Sequence, residues 1–151
     1  MRAVIQRVSE ASVVIDEQKV AAIQQGLLVL LGVEIEDTKE DVVWLANKIG
    51  QLRIFQDEEG VMNKSITESR GEVIVVSQFT LHAKTKKGNR PSYIKAARPE
   101  QAIPLYERFK EDLSIAICKE VKSGEFGADM KVSLTNDGPV TLIIDSRNRD
   151  L

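Results

Sequence analysis

A chain of 151 residues, 42% apolar and 29% charged, is long enough for one hydrophobic core without disulfides or a structural metal. Its formal net charge of −2 excludes bulk attraction to nucleic acid, so any RNA contact must rest on a local patch. A single cysteine, Cys118, excludes an intramolecular disulfide, and a single histidine, His82, excludes a metal site built on two histidines.

Four short apolar runs open the chain. "RAVIQRV" and "SVVID", separated by the polar "SEA", predict two strands, and "KVAAIQ" predicts a third. "GLLVLLGV", Gly26 to Val33, is apolar at consecutive positions and predicts a strand buried on both faces. That run is far short of the roughly 20 residues of a membrane span. The opening "MRAVIQRVSE" lacks a signal-peptide core, so a cytoplasmic location without membrane attachment is expected.

Thr38 begins a helix signature with Asp41 as its capping-box partner, and Val42, Leu45, Ala46 and Ile49 form one apolar face. "LRIF" predicts a short strand, "DEEG" (Asp57 to Gly60) a turn, and "EVIVVSQF" (Glu72 to Phe79) the central strand. A second helix is predicted between Pro99 and Val121. Pro104 favours a start nearer Ile103, and Ser123–Gly124 is the predicted stop. Met130, Val132 and Leu134 then alternate with polar residues as in a half-buried strand. "DGP" predicts a turn, "VTLIID" a returning strand, and residues 146–151 a frayed tail. The order ββββ-α-β-β-α-ββ predicts an α/β fold of α+β character. It is a single compact domain of layered, largely antiparallel or mixed sheets with two main helices.

The usual catalytic machinery is missing. There is no GxGxxG after a strand and no P-loop, and Cys118 beside Ile117 reads as a small buried thiol rather than a partner for His82. "SQFTLHA", Ser77 to Ala83, sets Ser77, Gln78 and Thr80 at the end of the central strand. If the strand continues, Thr80 and His82 share a face, which allows a His-activated threonine. Equally, these residues serve only to satisfy backbone groups at a strand end. The next segment, "HAKTKKGNRPSYIKAARP", carries Lys84, Lys86, Lys87, Arg90, Lys95 and Arg98 with no acidic residue. It reads either as a phosphate-binding strip with Tyr93 as a stacking face or as a solvated loop.

"SQFTL" at 77–81 and "NDGPVT" at 136–141, in order in a chain of this length, resemble the D-aminoacyl-tRNA deacylase family. "IQRV" with Arg7, "GLLVLLGV", "RIF", Met62–Asn63, "RPSY" and "FGADM" fall in the family's order, so the likeness covers the whole chain. It implies a deacylase-like domain over 1–145, a homodimer with its active site at the interface, and aminoacyl-tRNA as partner through its terminal adenosine and acceptor end. No metal or cofactor is implied.

The resemblance assigns Ser77, Gln78, Phe79 and Thr80 to one wall of the pocket. It makes Gly138–Pro139 a cis dipeptide that reaches, beside Asn136, into the partner's pocket, held by Arg7. Phe126 and Met130 match residues around the adenosine, and Lys84, Lys86, Lys87 and Arg90 are the expected contacts to the tRNA backbone. Without the resemblance, the Gly-Pro pair reads as a trans type I or II turn.

The implied activity is hydrolysis of D-aminoacyl esters, and of glycyl esters mischarged on tRNA-Ala. Mirror-image esters differ by an exchange of hydrogen and side chain at one carbon. Main-chain carbonyls crowding the hydrogen position admit D-esters and glycine and reject L-esters. Proline fixes its own φ and restricts its neighbour, and glycine lets backbone approach closely. The alternative is a non-catalytic RNA-binding module that uses the basic 84–98 loop.

Overall fold

The computed structural model describes residues 1–151. In chain order the elements are β1 (Arg2–Ile15), β2 (Gln18–Ile23), β3 (Gly26–Gly32), α1 (Lys39–Gln51), β4 (Phe55–Gln56), β5 (Met62–Lys64), β6 (Glu72–Ser77), α2 (Pro99–Ile117), β7 (Lys122–Ser123) and β8 (Lys131–Asp145). A mixed six-stranded sheet runs β2-β1-β3-β6-β7, with β8 on the other edge of β1, and β4 and β5 form a separate hairpin. β3 and β6 are parallel, as are β6 and β7, while every pairing of β1 is antiparallel. This is the mixed, layered architecture with two helices that the residue pattern predicts.

β3 and β6 are buried on both faces because their side chains alternate between two cores. Leu27, Val29, Leu31, Val73 and Val75 face the two helices, with Leu45, Ile49, Phe109 and Leu113 opposite them. Leu28, Ile74 and Val76 face the other way, against Val8, Val13 and Ile23. Each fully buried aliphatic or aromatic side chain contributes about 1.5–3 kcal/mol, so this central pair anchors both cores. The capping box at α1 forms as expected, with the Thr38 N–H donating to the Asp41 carboxylate at 2.9 Å.

Several sequence expectations are corrected. "RAVIQRV" and "SVVID" are one strand, because β8 pairs with β1 on both sides of "SEA" while the opposite edge passes from β3 to β2. Ser9 and Glu10 are exposed at a register shift and not in a turn. Of "LRIF" only Phe55 joins a strand. α2 begins at Pro99, runs through Pro104, and stops at Ile117, where Cys118 takes a left-handed C-cap conformation (φ 56°). Cys118 is exposed, not buried.

The segment "NDGPVT" does not reverse the chain. Both halves of β8 run antiparallel to β1, with Gln6 opposite Thr141 and Val8 opposite Asn136. Two steps along β1 therefore face five along β8, and residues 137–140 bulge outward from a continuous strand. Local composition cannot tell such a bulge from a hairpin turn, since both use Gly and Pro. Within the segment expected to fray, Ser146 and Arg149 make tertiary contacts. The Ser146 N–H donates to the Met1 carbonyl at 2.9 Å, its hydroxyl donates to Asp41 at 2.7 Å, and Arg149 lies over the Trp44 ring at 4.4 Å.

Candidate active site

The central strand ends earlier than its apolar run suggests. β6 stops at Ser77, Gln78 breaks the strand geometry (φ −147°, ψ 80°), and Phe79–His82 form a 3-10 turn. The shared strand face for Thr80 and His82 therefore does not exist. His82 is buried with its Nε2 unpartnered, and the Thr80 hydroxyl accepts a hydrogen bond from the Gln78 side-chain amide. The turn's own bonds begin with Leu81 N–H to the Gln78 carbonyl (3.3 Å) and include Ala83 N–H to the Thr80 carbonyl (3.1 Å). As at any helix start, the turn leaves the preceding donors, the N–H groups of Phe79 and Thr80, without a partner of its own. Behind the turn, Arg2 donates to the Leu81 carbonyl at 3.0 Å and pairs with Asp145 at 2.9 Å.

A cavity of about 290 Å³ opens at this strand end. Val76, Ser77, Gln78 and Phe79 form one side, and Phe126 to Met130 with Val132 form the other. The two sequence-predicted groups, "SQF" and Phe126/Met130, thus meet across one pocket. Tyr106 of α2 braces Phe126 edge-to-face at 5.6 Å and donates from its hydroxyl to the Val75 carbonyl at 3.3 Å. Burial pushes the Tyr106 phenol up to about 12, so it stays a neutral donor. Met130 is admitted by Gly124, where an added Cβ would collide with its sulfur. A larger hollow of about 540 Å³ lies on the outer face of α1, where long exposed side chains such as Lys39 and Lys48 line it.

The basic segment is built onto the same wall. Tyr93 packs edge-to-face on Phe79 with ring centroids 5.0 Å apart. Lys84 and Ser92 exchange backbone hydrogen bonds of 2.8 and 3.0 Å, so the chain between them forms a hairpin-like loop. Lys84, Lys86, Lys87 and Arg90 all project from it into solvent. Lys95 is partly neutralised by Glu34 at 3.5 Å.

The bulge lies apart from the pocket of its own chain. Gly138–Pro139 is a cis dipeptide, Gly138 has φ +132°, and both residues are exposed. Neither lines the cavity beside Ser77. Arg7 is buried beneath the bulge, donating from Nε to the Asp137 carbonyl (3.0 Å) and from Nη1 to the Ile54 carbonyl (2.6 Å). Asn136 is exposed at the last paired position before the bulge, opposite Val8. No three His, Cys, Asp or Glu side chains come together as a metal-ligand group.

Sequence reasoning missed Tyr106 as the brace for Phe126 and Arg2 as the prop of the 79–82 turn. Each links positions far apart in the chain, and neither stands in a motif.

Comparison with known proteins adds a relationship to this geometry. A family model described as D-Tyr-tRNA(Tyr) deacylase matches residues 4–145. A protein of Bacteroides fragilis strain YCH46 named D-aminoacyl-tRNA deacylase is 65% identical over 150 residues, which is 99% of this chain and 100% of the relative. The solved structure of a c-Myc DNA Unwinding Element Binding Protein superposes with a TM-score of 0.91 at 41% identity, covering 96% of this chain and 98% of that one. A probable eukaryotic D-amino acid tRNA deacylase shares the fold alone, with a TM-score of 0.82 at 17% identity over 95% of this chain and 97% of its own.

Proposed function

The chain belongs to the D-Tyr-tRNA(Tyr) deacylase family, and on that premise we propose that it hydrolyses D-aminoacyl-tRNA esters with a chirality filter supplied by a partner subunit. The observation that carries this reading is the separation of two half-sites. The pocket at the end of β6 has aromatic walls and the unpaired Phe79 N–H but no Gly-Pro segment, while the bulge stands exposed on an edge strand outside that pocket. A homodimer that sets the bulge of one subunit into the pocket of the other completes both.

Within that pocket Phe126 and Met130 receive the terminal adenosine, and the ester carbonyl faces the free N–H groups of Phe79 and Thr80. Such donors act by stabilising the oxyanion, each tenfold in rate corresponding to about 1.4 kcal/mol. The Gly138–Pro139 carbonyls crowd the substrate's α-carbon on the side where D-esters and glycine carry hydrogen. Glycyl-tRNA, including glycine mischarged on tRNA-Ala, therefore passes the filter. Lys84, Lys86, Lys87 and Arg90 meet phosphates of the acceptor end.

Thr80 positions the substrate and does not attack it. Gln78, which is no base, is the group that contacts its hydroxyl, and a threonine hydroxyl is a poor nucleophile without one. The neighbouring ribose hydroxyl of the adenosine assists hydrolysis instead. Deacylation of D-tyrosyl-, glycyl- and L-tyrosyl-tRNA by purified protein without added metal tests the reading. The D- and glycyl esters are cleaved and the L-ester is spared; cleavage of both tyrosyl enantiomers at equal rates would defeat it. A tRNA lacking that ribose hydroxyl loses turnover, whereas Thr80→Ala retains part of it.

A non-catalytic nucleic-acid-binding role draws on the basic loop beside Phe79 and on the likeness to the c-Myc DNA Unwinding Element Binding Protein at 41% identity. Gly138→Ala separates the two, since a pure binder is indifferent to that change.

A further inference from the structure

Arg7 is a cation almost without solvent, its side chain only 6% exposed. Two of its donors go to main-chain carbonyls, those of Ile54 and Asp137. The one carboxylate within ion-pairing distance belongs to Asp137, whose Oδ2 lies 3.5 Å from the same Nε that holds the Asp137 carbonyl. Arg7 therefore grips a single residue twice, at the root of the bulge. Residues 137–140 have no ladder partner on β1, so this grip substitutes for the missing pairing. The guanidinium also underlies Gly138, where an added Cβ would sit 3.2 Å from Nη2.

A buried charge needs a compensating partner, and removing it leaves the remaining ion poorly held. We propose that the Asp137 carboxylate is a specificity-determining positioning group, which locks Arg7 to the bulge and so fixes how closely the Gly138–Pro139 carbonyls approach the substrate. The inference rests on the bulge being the chirality filter. Without the carboxylate, the guanidinium holds the bulge through one carbonyl alone, and the filter can recede enough to admit a side chain where only hydrogen fitted. Asp137 is itself 48% exposed, so solvent takes over part of the compensation at Arg7 when the carboxylate is removed, and the thermal midpoint reads the stability that is lost.

The test is deacylation of D- and L-tyrosyl-tRNA by the full-length protein and its Asp137→Asn, Asp137→Ala and Asp137→Glu variants, with thermal midpoints measured alongside. Asn and Ala lower the D-to-L rate ratio about tenfold or more through faster cleavage of the L-ester, and Glu restores most of it. General damage would depress both rates together. The inference is overturned if Asn and Ala keep the parent ratio, whatever their absolute rates, or if Glu fails as badly as Ala. Should Ala not fold, the isosteric Asn carries the comparison. A parent ratio near one would instead strike down the filter reading itself.

Discussion

Ser77 to Thr80 stand at the end of a strand buried on both faces, whereas Asp137 to Val140 stand on an edge strand whose side chains, Asp145 apart, are exposed or half-buried. The wall gains its rigidity from the core beneath it: Val73 to Val76 are buried, Tyr106 braces Phe126, and Arg2 props the turn. The bulge meets the core only through the half-buried Val140, and its exposed tip depends on one arginine and on the restricted dihedrals of Gly138 and Pro139. Under the proposed dimer this division follows from function, because a segment packed wholly in its own core could not reach a second subunit's pocket.

Substitutions that strike one half and spare the other break this contrast most directly. Tyr106→Ala empties a buried position under the wall and costs about 3–5 kcal/mol, read from urea unfolding. Gly138→Ala leaves that core intact but forces a side chain into φ +132°, with its Cβ 3.0 Å from Val140 Cγ2. Displacement of the bulge on the ångström scale lowers single-turnover D-ester cleavage about 100-fold while unfolding changes far less. Equal losses of stability from the two variants would erase the distinction.

Gly124→Ala sharpens the comparison within the wall. The atom it displaces is the sulfur of Met130, on a flexible side chain, so stability falls by less than about 1 kcal/mol. The pocket is reshaped nonetheless, and KM for D-aminoacyl-tRNA rises about tenfold, about 1.4 kcal/mol. The smallest effect is a pH dependence at Asp145. Burial pushes its carboxyl up, but the Arg147 N–H, the Met1 amino group and Arg2 outweigh that and hold it below the usual carboxylate range. Its contribution is therefore present above the unfolded value of about 4 and is lost as pH falls through the lower folded value. Asp145→Asn flattens the acid limb of a stability-versus-pH curve; an unchanged limb would show that Asp145 does not support the turn.

Much of the wall was legible in the residues. Consecutive apolar positions in "GLLVLLGV" and "EVIVVS" can only be satisfied by burial on two faces, and the capping box of α1 is a matter of three-residue spacing. "SQF" and Phe126/Met130 were found through motifs, and the fold brings them to one cavity. The end of β6 was not legible, because Gln78 and Phe79 are as compatible with a strand as with a turn. The helix stop at Cys118 was missed for a related reason, since a left-handed cap at a non-glycine residue has no compositional mark.

Taken by itself, then, the chain determined what short-range physics governs: which strands are buried on both faces, where α1 starts, and where lysines gather without acids. Tertiary structure alone decided that "NDGPVT" is a bulge and not a turn, because strand register depends on what lies opposite, and β1 is more than a hundred residues away in sequence. It also decided that Arg7, Ile54 and Asp137 form one clamp, because a buried cation finds its partners by proximity in space, which no local pattern encodes.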